Sequence, residues 1–195
     1  MTFIFSLKAL ILTYTMSRKK SVVKHYDETS RFYDELYFPE QLKKHVIALS
    51  LVNPDLGAKV LDVGCGTGLL LEKLAQIDHL AVGVDISRNM LEVAKHRVDK
   101  GVMLVVADAE ALPFKNESFE AVFLITVLQN LSNPVKGLKE AFRVLNRGGK
   151  AFITFLKKAE GSSRFRQRLK ISGFKVETIL DLEGIPDLMT LCVKV

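Results

Sequence analysis

The sequence predicts a doubly wound α/β fold: a seven-stranded, mostly parallel sheet with helices on both faces and one antiparallel strand near the C-terminus. Three observations carry that expectation. Short apolar runs alternate with segments at helical spacing, the pattern of repeated right-handed βαβ units. A glycine-rich loop follows the first of these runs directly. The last two runs are separated only by residues 183–187, too few for a crossover helix, so they must pair antiparallel.

Taken in order, residues 21–38 are rich in aromatics and read as one or two short helical turns. Residues 40–52 place Leu42, Val46 and Leu49 at helical spacing and stop at Asn53-Pro54. A first strand is expected over 59–63, a helix over 68–77, a strand over 80–84, a helix over 89–99, and strands over 102–107 and 119–126. The next helix takes Asn133 as its cap and Pro134 in its first turn, where the missing N–H costs nothing. It runs through Leu138, Phe142 and Leu145 towards Gly148-Gly149. A strand over 150–155, a helix over 163–172 closed by Gly173, and strands over 174–182 and 188–195 complete the order.

With 195 residues, 48% hydrophobic and 26% charged, the chain has the composition of a globular protein and not of a disordered or fibrous one. A net charge of +6 permits an anionic partner without demanding one. The two cysteines, Cys65 and Cys192, show neither metal-ligand spacing nor a pairing pattern, which fits a reducing, cytoplasmic setting. Residues 1–15 are largely apolar, are interrupted by Lys8, and precede Met16 and the basic run 17–20. They lack the leading charge and cleavage site of a signal peptide and fall short of the roughly 20 residues of a membrane span. The expectation is that Met16 is the start, with 1–15 a non-native or disordered extension, 16–58 a helical cap and 59–195 the sheet domain.

The glycine loop reads Asp62-Val63-Gly64-Cys65-Gly66-Thr67-Gly68. Its place between a strand and the next helix puts it at the carboxyl edge of the sheet, where doubly wound folds bind ligands. A dinucleotide fingerprint needs its third glycine at position 69, which is Leu, and no phosphate-binding lysine follows. What remains is D-x-G-x-G-x-G.

In that frame the sequence resembles the class I S-adenosylmethionine-dependent methyltransferases over residues 24–195, whose domain is Rossmann-like. The resemblance implies S-adenosylmethionine as cofactor. It wraps the backbone of Gly64, Cys65, Gly66 and Gly68 around the methionine portion, with Asp62 at the amino end. It also gives Asp85, seventeen residues after Gly68, the ribose hydroxyls. Ile86 and Met90 flank the adenine, Asp108 accepts from its amino group, Ala109 contacts the ring, and Ile125 is counted with the same cofactor site. Three departures stand out: Glu120 where the family usually has Asp, Gln129-Asn130 where it commonly has His-His, and Arg147 where it has proline. A histidine base therefore cannot sit after the fourth strand.

Transfer from a sulfonium is an in-line displacement, so alignment of donor and nucleophile carries most of the catalysis. No metal is implied and no catalytic base is assigned. Acceptor-side candidates are Tyr26 and Tyr33, seven apart and so on one helical face, with Gln129 and Asn130, whose amides orient but do not take protons. His25 reads as solvated.

The segment 157–175, with Arg164, Arg166, Arg168 and Lys170 around Phe165 and Leu169, could track phosphates. It tilts the expected acceptor towards RNA (tRNA or rRNA). A small molecule, of quinone or metabolite type, is the alternative, and a non-catalytic cofactor-binding subunit a further one. By resemblance, residues 102–106 form an apolar sheet edge on which a small zinc-binding activator protein pairs in some family members.

Overall fold

The computed structural model describes residues 2–77, 79–159 and 161–195, with side chains from residue 15 onward. Two helices lead: α1 (Thr2–Thr29) and α2 (Tyr33–Val52). Then come β1 (Lys59–Val63), α3 (Leu69–Gln76), β2 (Leu80–Asp85), α4 (Arg88–Arg97), β3 (Met103–Val106) and β4 (Phe119–Leu124). They are followed by α5 (Pro134–Val144), β5 (Leu145–Leu156), α6 (Ser162–Ile171), β6 (Lys175–Asp181) and β7 (Asp187–Val193).

The strands form one seven-stranded sheet in the order β3-β2-β1-β4-β5-β7-β6. β1 to β5 are parallel neighbours, and β7 runs antiparallel to both β5 and β6. The single reversed strand follows from the short 183–187 connection, as expected. The sheet is buried on both faces, so its central strands are apolar without alternation. Val60, Ala121, Phe123 and Phe152 pack under α2, α3 and α4. Leu61, Val122, Leu124 and Ile153 pack with α5 and α6, including Leu138 and Phe165.

Helix ends agree with local chemistry. Asn133 caps α5 by accepting the Lys136 N–H at 3.1 Å, and Ser87 caps α4 by accepting that of Met90 at 3.1 Å. β5 begins earlier than expected, because Leu145 already pairs with Phe119 before a register irregularity at Ala121.

The N-terminal region departs furthest from expectation. In place of short turns there are two long helices, and α1 passes through Met16 without a break. Tyr26 and Tyr33 therefore do not share a helical face: one ends α1 and the other begins α2, and the bend between the helices brings their rings to 6.1 Å. In α2 the buried residues are Gln41, Lys44, His45, Ala48 and Val52, while Val46, one of the three apolar residues noted at helical spacing, is exposed. Among the described residues no helix is long and apolar enough to cross a membrane.

Candidate functional site

The strand order reverses between β1 and β4, and a cavity opens there outside the carboxyl ends of β1, β2 and β4, the usual ligand position in such sheets. It encloses about 740 Å³, counted out to solvent at its mouth. Gly64, Gly66, Asp85, Ile86, Met90, Asp108, Ala109 and Ile125 line it, together with Lys19, Val22 and Tyr26 of α1 and Tyr33 of α2. The loops after β4 contribute Thr126, Val127, Asn130, Leu131 and Ser132.

Gly64 adopts φ +72°, and a Cβ there would stand 2.5 Å from Val127 Cγ2. Glycine is required both for the turn and for the approach of this wall. Cys65 and Gly68 do not line the cavity: Cys65 packs towards Gly83, and Gly68 opens α3 against Ala94. The loop is held from two sides. The Asp85 carboxylate accepts from Gly66 N–H at 2.9 Å and from Ser87 N–H at 2.8 Å. Asp34 at the start of α2 accepts from the Thr67 hydroxyl at 2.6 Å and pairs with Arg97.

Asp62 lies behind the loop, buried, and no donor among the described residues reaches its carboxylate. Burial, reinforced by the Asp85 charge, pushes its carboxyl up to about 8. Asp85 is raised by burial too, against the pull of its backbone donors. Two acids with no cation beside them among the described residues suit a ligand that brings its own positive charge. The residues thus fit S-adenosylmethionine: a diol for Asp85, apolar Ile86 and Met90 for a base, and, although Asp62 does not itself line the cavity, a buried carboxylate behind the loop for an ammonium.

At the far end Asp108 accepts from Lys19 Nζ at 2.6 Å and from Glu110 N–H at 2.8 Å. Glu110 pairs with Lys19 at 3.0 Å and accepts from the Ser132 and Asn133 N–H groups at 2.8 and 3.0 Å. Although burial opposes it, these two carboxylates raise the Lys19 ammonium above its ordinary value. α1 is tied down further where Asp27 accepts from the Ser87 hydroxyl, and where the Asn89 side chain donates to the Asp27 carbonyl at 3.2 Å.

On the acceptor side, Asn130 Nδ2 donates to the Tyr26 hydroxyl at 2.7 Å and to the Thr126 carbonyl at 3.2 Å. Burial raises Tyr26 despite the Asn130 donor, and burial raises Tyr33 as well, so both stay neutral phenols. Gln129 is turned away: its Nε2 donates to the Thr126 carbonyl at 3.0 Å, and it does not line the cavity. His25 is exposed and touches only the edge of Tyr26 among the lining residues.

Sequence reasoning missed Lys19, Glu110 and Thr126. Lys19 sits in a run that reads as a basic leader, and Glu110 lies two residues past Asp108 in a segment scanned for a single acid. Thr126 carries no sequence signal. Glu120, the departure in β4, accepts the Lys59 N–H at 2.7 Å and so secures the start of β1, away from the cavity.

A family model described as a methyltransferase domain matches residues 61–153. An uncharacterised protein of Methanocaldococcus jannaschii is 36% identical over 138 residues, covering 70% of this chain and 52% of that one. A demethylmenaquinone methyltransferase of Clavibacter sepedonicus is 38% identical over 134 residues, 66% of this chain and 55% of that one. The chain thus spans little more than half the length of the curated relatives it matches. Among solved structures, a Haloferax volcanii methyltransferase in complex with the Trm112 methyltransferase activator superposes with a TM-score of 0.78 at 18% identity. That match covers 87% of this chain and 97% of that one.

Proposed function

The chain belongs to the class I S-adenosylmethionine-dependent methyltransferases, and on that premise we propose that it methylates a small, largely apolar acceptor. The observation that carries this reading is the roof that α1 and α2 build over the cavity. Val22, Tyr26 and Tyr33 line it together with Ile125, Val127 and Leu131, an apolar portion of the cavity of the kind that takes up small molecules.

The tilt towards RNA gives way on two grounds. No described residue of α6, the basic helix, lines the cavity, and the named relatives, which are demethylmenaquinone methyltransferases, take a small acceptor by their names.

When bound, S-adenosylmethionine supplies a methyl group activated by its sulfonium. The chain's own residues hold and exclude. The Gly64 and Gly66 backbone and the Asp62 and Asp85 carboxylates fix one side. The α1 roof keeps water from the other, and neutral Tyr26 presents a hydroxyl to the acceptor. A group aligned in this way supplies roughly 7–11 kcal/mol of the barrier without proton chemistry. A base is unnecessary for an acceptor that is already nucleophilic.

The test is transfer of tritium from methyl-labelled cofactor into a fractionated extract, with Asp85→Ala as control. Label in the small-molecule fraction that the control abolishes supports the reading. Label confined to RNA overturns it.

A partner reading rests on β3. It is one of the two edge strands of the sheet, with Met103 58% and Val106 49% exposed, and an apolar edge invites strand addition. We propose an activator protein paired along it, as the fold-level likeness to the Trm112-bound methyltransferase suggests. Leu104→Pro, which removes a backbone donor on the side of β3 away from β2, should abolish co-purification of the partner while leaving cofactor binding intact. Unchanged co-purification sinks the idea.

A further inference from the structure

Thr126 follows β4 at the floor of the cavity with φ +63°. Among the described residues, the other non-glycines with positive φ are Asn53 and Glu117, neither of them β-branched. A β-branched residue in this region is strained and persists only where its surroundings over-determine it.

Here every polar group of Thr126 is held. Its N–H donates to Thr154 Oγ1 at 2.8 Å. Its hydroxyl oxygen accepts from Lys44 Nζ at 3.0 Å and Gln41 Nε2 at 3.3 Å. Its carbonyl accepts from Gln129 and Asn130. Lys44 is wholly buried; its ammonium donates to Thr126 and to Glu40 at 2.6 Å and forms an ion pair with the equally buried Asp187. Neither Lys44 nor Asp187 lines the cavity.

The next link is Asn130. Its two Nδ2 hydrogens are divided between the Thr126 carbonyl and the Tyr26 hydroxyl. As an acceptor from Asn130, the Tyr26 oxygen keeps its own hydrogen for a ligand.

We propose that Lys44 is a positioning residue for the acceptor: it clamps Thr126 in its left-handed conformation, so that Thr126 aims Asn130 and Asn130 orients the Tyr26 hydroxyl hydrogen into the cavity. The acceptor this arrangement selects is uncharged and carries a hydrogen-bond-accepting oxygen or nitrogen beside the methylated atom. That choice rests on the small-molecule reading above; the clamp itself does not. A buried Lys–Asp pair between α2 and β7 could serve stability alone, and the test must separate the two roles.

Removing Lys44 alone strands a buried carboxylate, so the test variant is Lys44→Met/Asp187→Leu, which removes both charges. The readout is solvent exchange of the Asn130 side-chain amide, followed by NMR on asparagine-labelled full-length protein without any substrate. Exchange should accelerate about tenfold, the worth of one lost hydrogen bond. In a Thr126→Gly background, which needs no clamp and offers Lys44 no hydroxyl, the same pair should change exchange less than about twofold. Unchanged Asn130 exchange in the folded double variant overturns the proposal, as does equal acceleration in both backgrounds. If the double variant does not fold, Thr126→Val removes the hydroxyl while keeping the β-branch. It must then accelerate the exchange, and Thr126→Ser must restore it. Because the amide readout needs no turnover, failure to find a small-molecule acceptor leaves this result standing.

Discussion

Replacing Asp62 by asparagine should abolish a proton release that accompanies cofactor binding. The carboxyl is buried beside Asp85 without a donor among the described residues, and its value near 8 means that the empty protein carries a proton there at neutral pH. At pH 7 about nine in ten molecules hold it. A ligand ammonium placed against Asp62 returns it to the charged form, so binding expels about 0.9 proton at pH 7. Affinity for S-adenosylhomocysteine should then rise about tenfold, about 1.4 kcal/mol, between pH 6 and pH 7, and level off above the group's own value. The assay is calorimetric titration in buffers of different ionisation heat, for the wild type and Asp62→Asn. Asp85 is raised as well, so its protons remain in the variant and the difference isolates Asp62. Equal proton counts in the two proteins, or a wild-type affinity flat from pH 6 to 7, would refute the reasoning. The sign for stability follows from the same linkage. The folded value lies above the unfolded 3.8, so this group favours the folded empty protein below about pH 4, and that benefit is lost as pH rises towards 8. Asp62→Asn mimics the protonated acid. If even about 1 kcal/mol of the linkage is realised, its Tm at pH 8 should exceed the wild type's by about 2–4 °C.

Three further outcomes are expected. Tyr26→Phe should lower kcat/KM for the acceptor about tenfold, the worth of one hydrogen bond, while S-adenosylhomocysteine affinity moves less than about twofold by calorimetry; a larger loss of cofactor affinity would put Tyr26 on the wrong side of the cavity. Gly64→Ala and Gly57→Ala meet similar backbone strain, at φ +72° and +76°, but only the former drives a Cβ to 2.5 Å from Val127. Gly64→Ala should therefore lose cofactor binding and Gly57→Ala keep it, at a cost of about 1 kcal/mol or somewhat more in denaturant melts. Burial, with Lys73 and Lys44 nearby, lowers His45 to about 4 from 6.5. The unfolded chain thus gains a proton first, and stability should fall by up to about 3 kcal/mol as pH drops from 6.5 to 4; His45→Phe should flatten that limb in pH-dependent melts.

The sheet was legible because its strands obey one rule. Buried on both faces, β1, β2 and β4 read as apolar runs ending in Val63, Asp85 and Leu124, and the parallel registers bring those ends to one edge. Half of the site came with them, since Gly64, Gly66, Asp85 and Asp108 follow strand ends directly. The other half comes from α1 and α2, where helical periodicity misleads. Reading Leu42, Val46 and Leu49 as the inner stripe of α2 assumes an apolar underside. This helix instead lies partly over the carboxyl edge of the sheet, where Thr126 and Asp187 offer polar partners, so it buries Gln41 and Lys44 and leaves Val46 in solvent. The same reversal explains Lys19, whose partners Asp108 and Glu110 lie some ninety residues on. A polar residue facing inward is invisible to a pattern until its partner is known, and at this edge the partners belong to other strands. Residues that a roofing helix turns towards the cavity are for that reason the least readable in the chain.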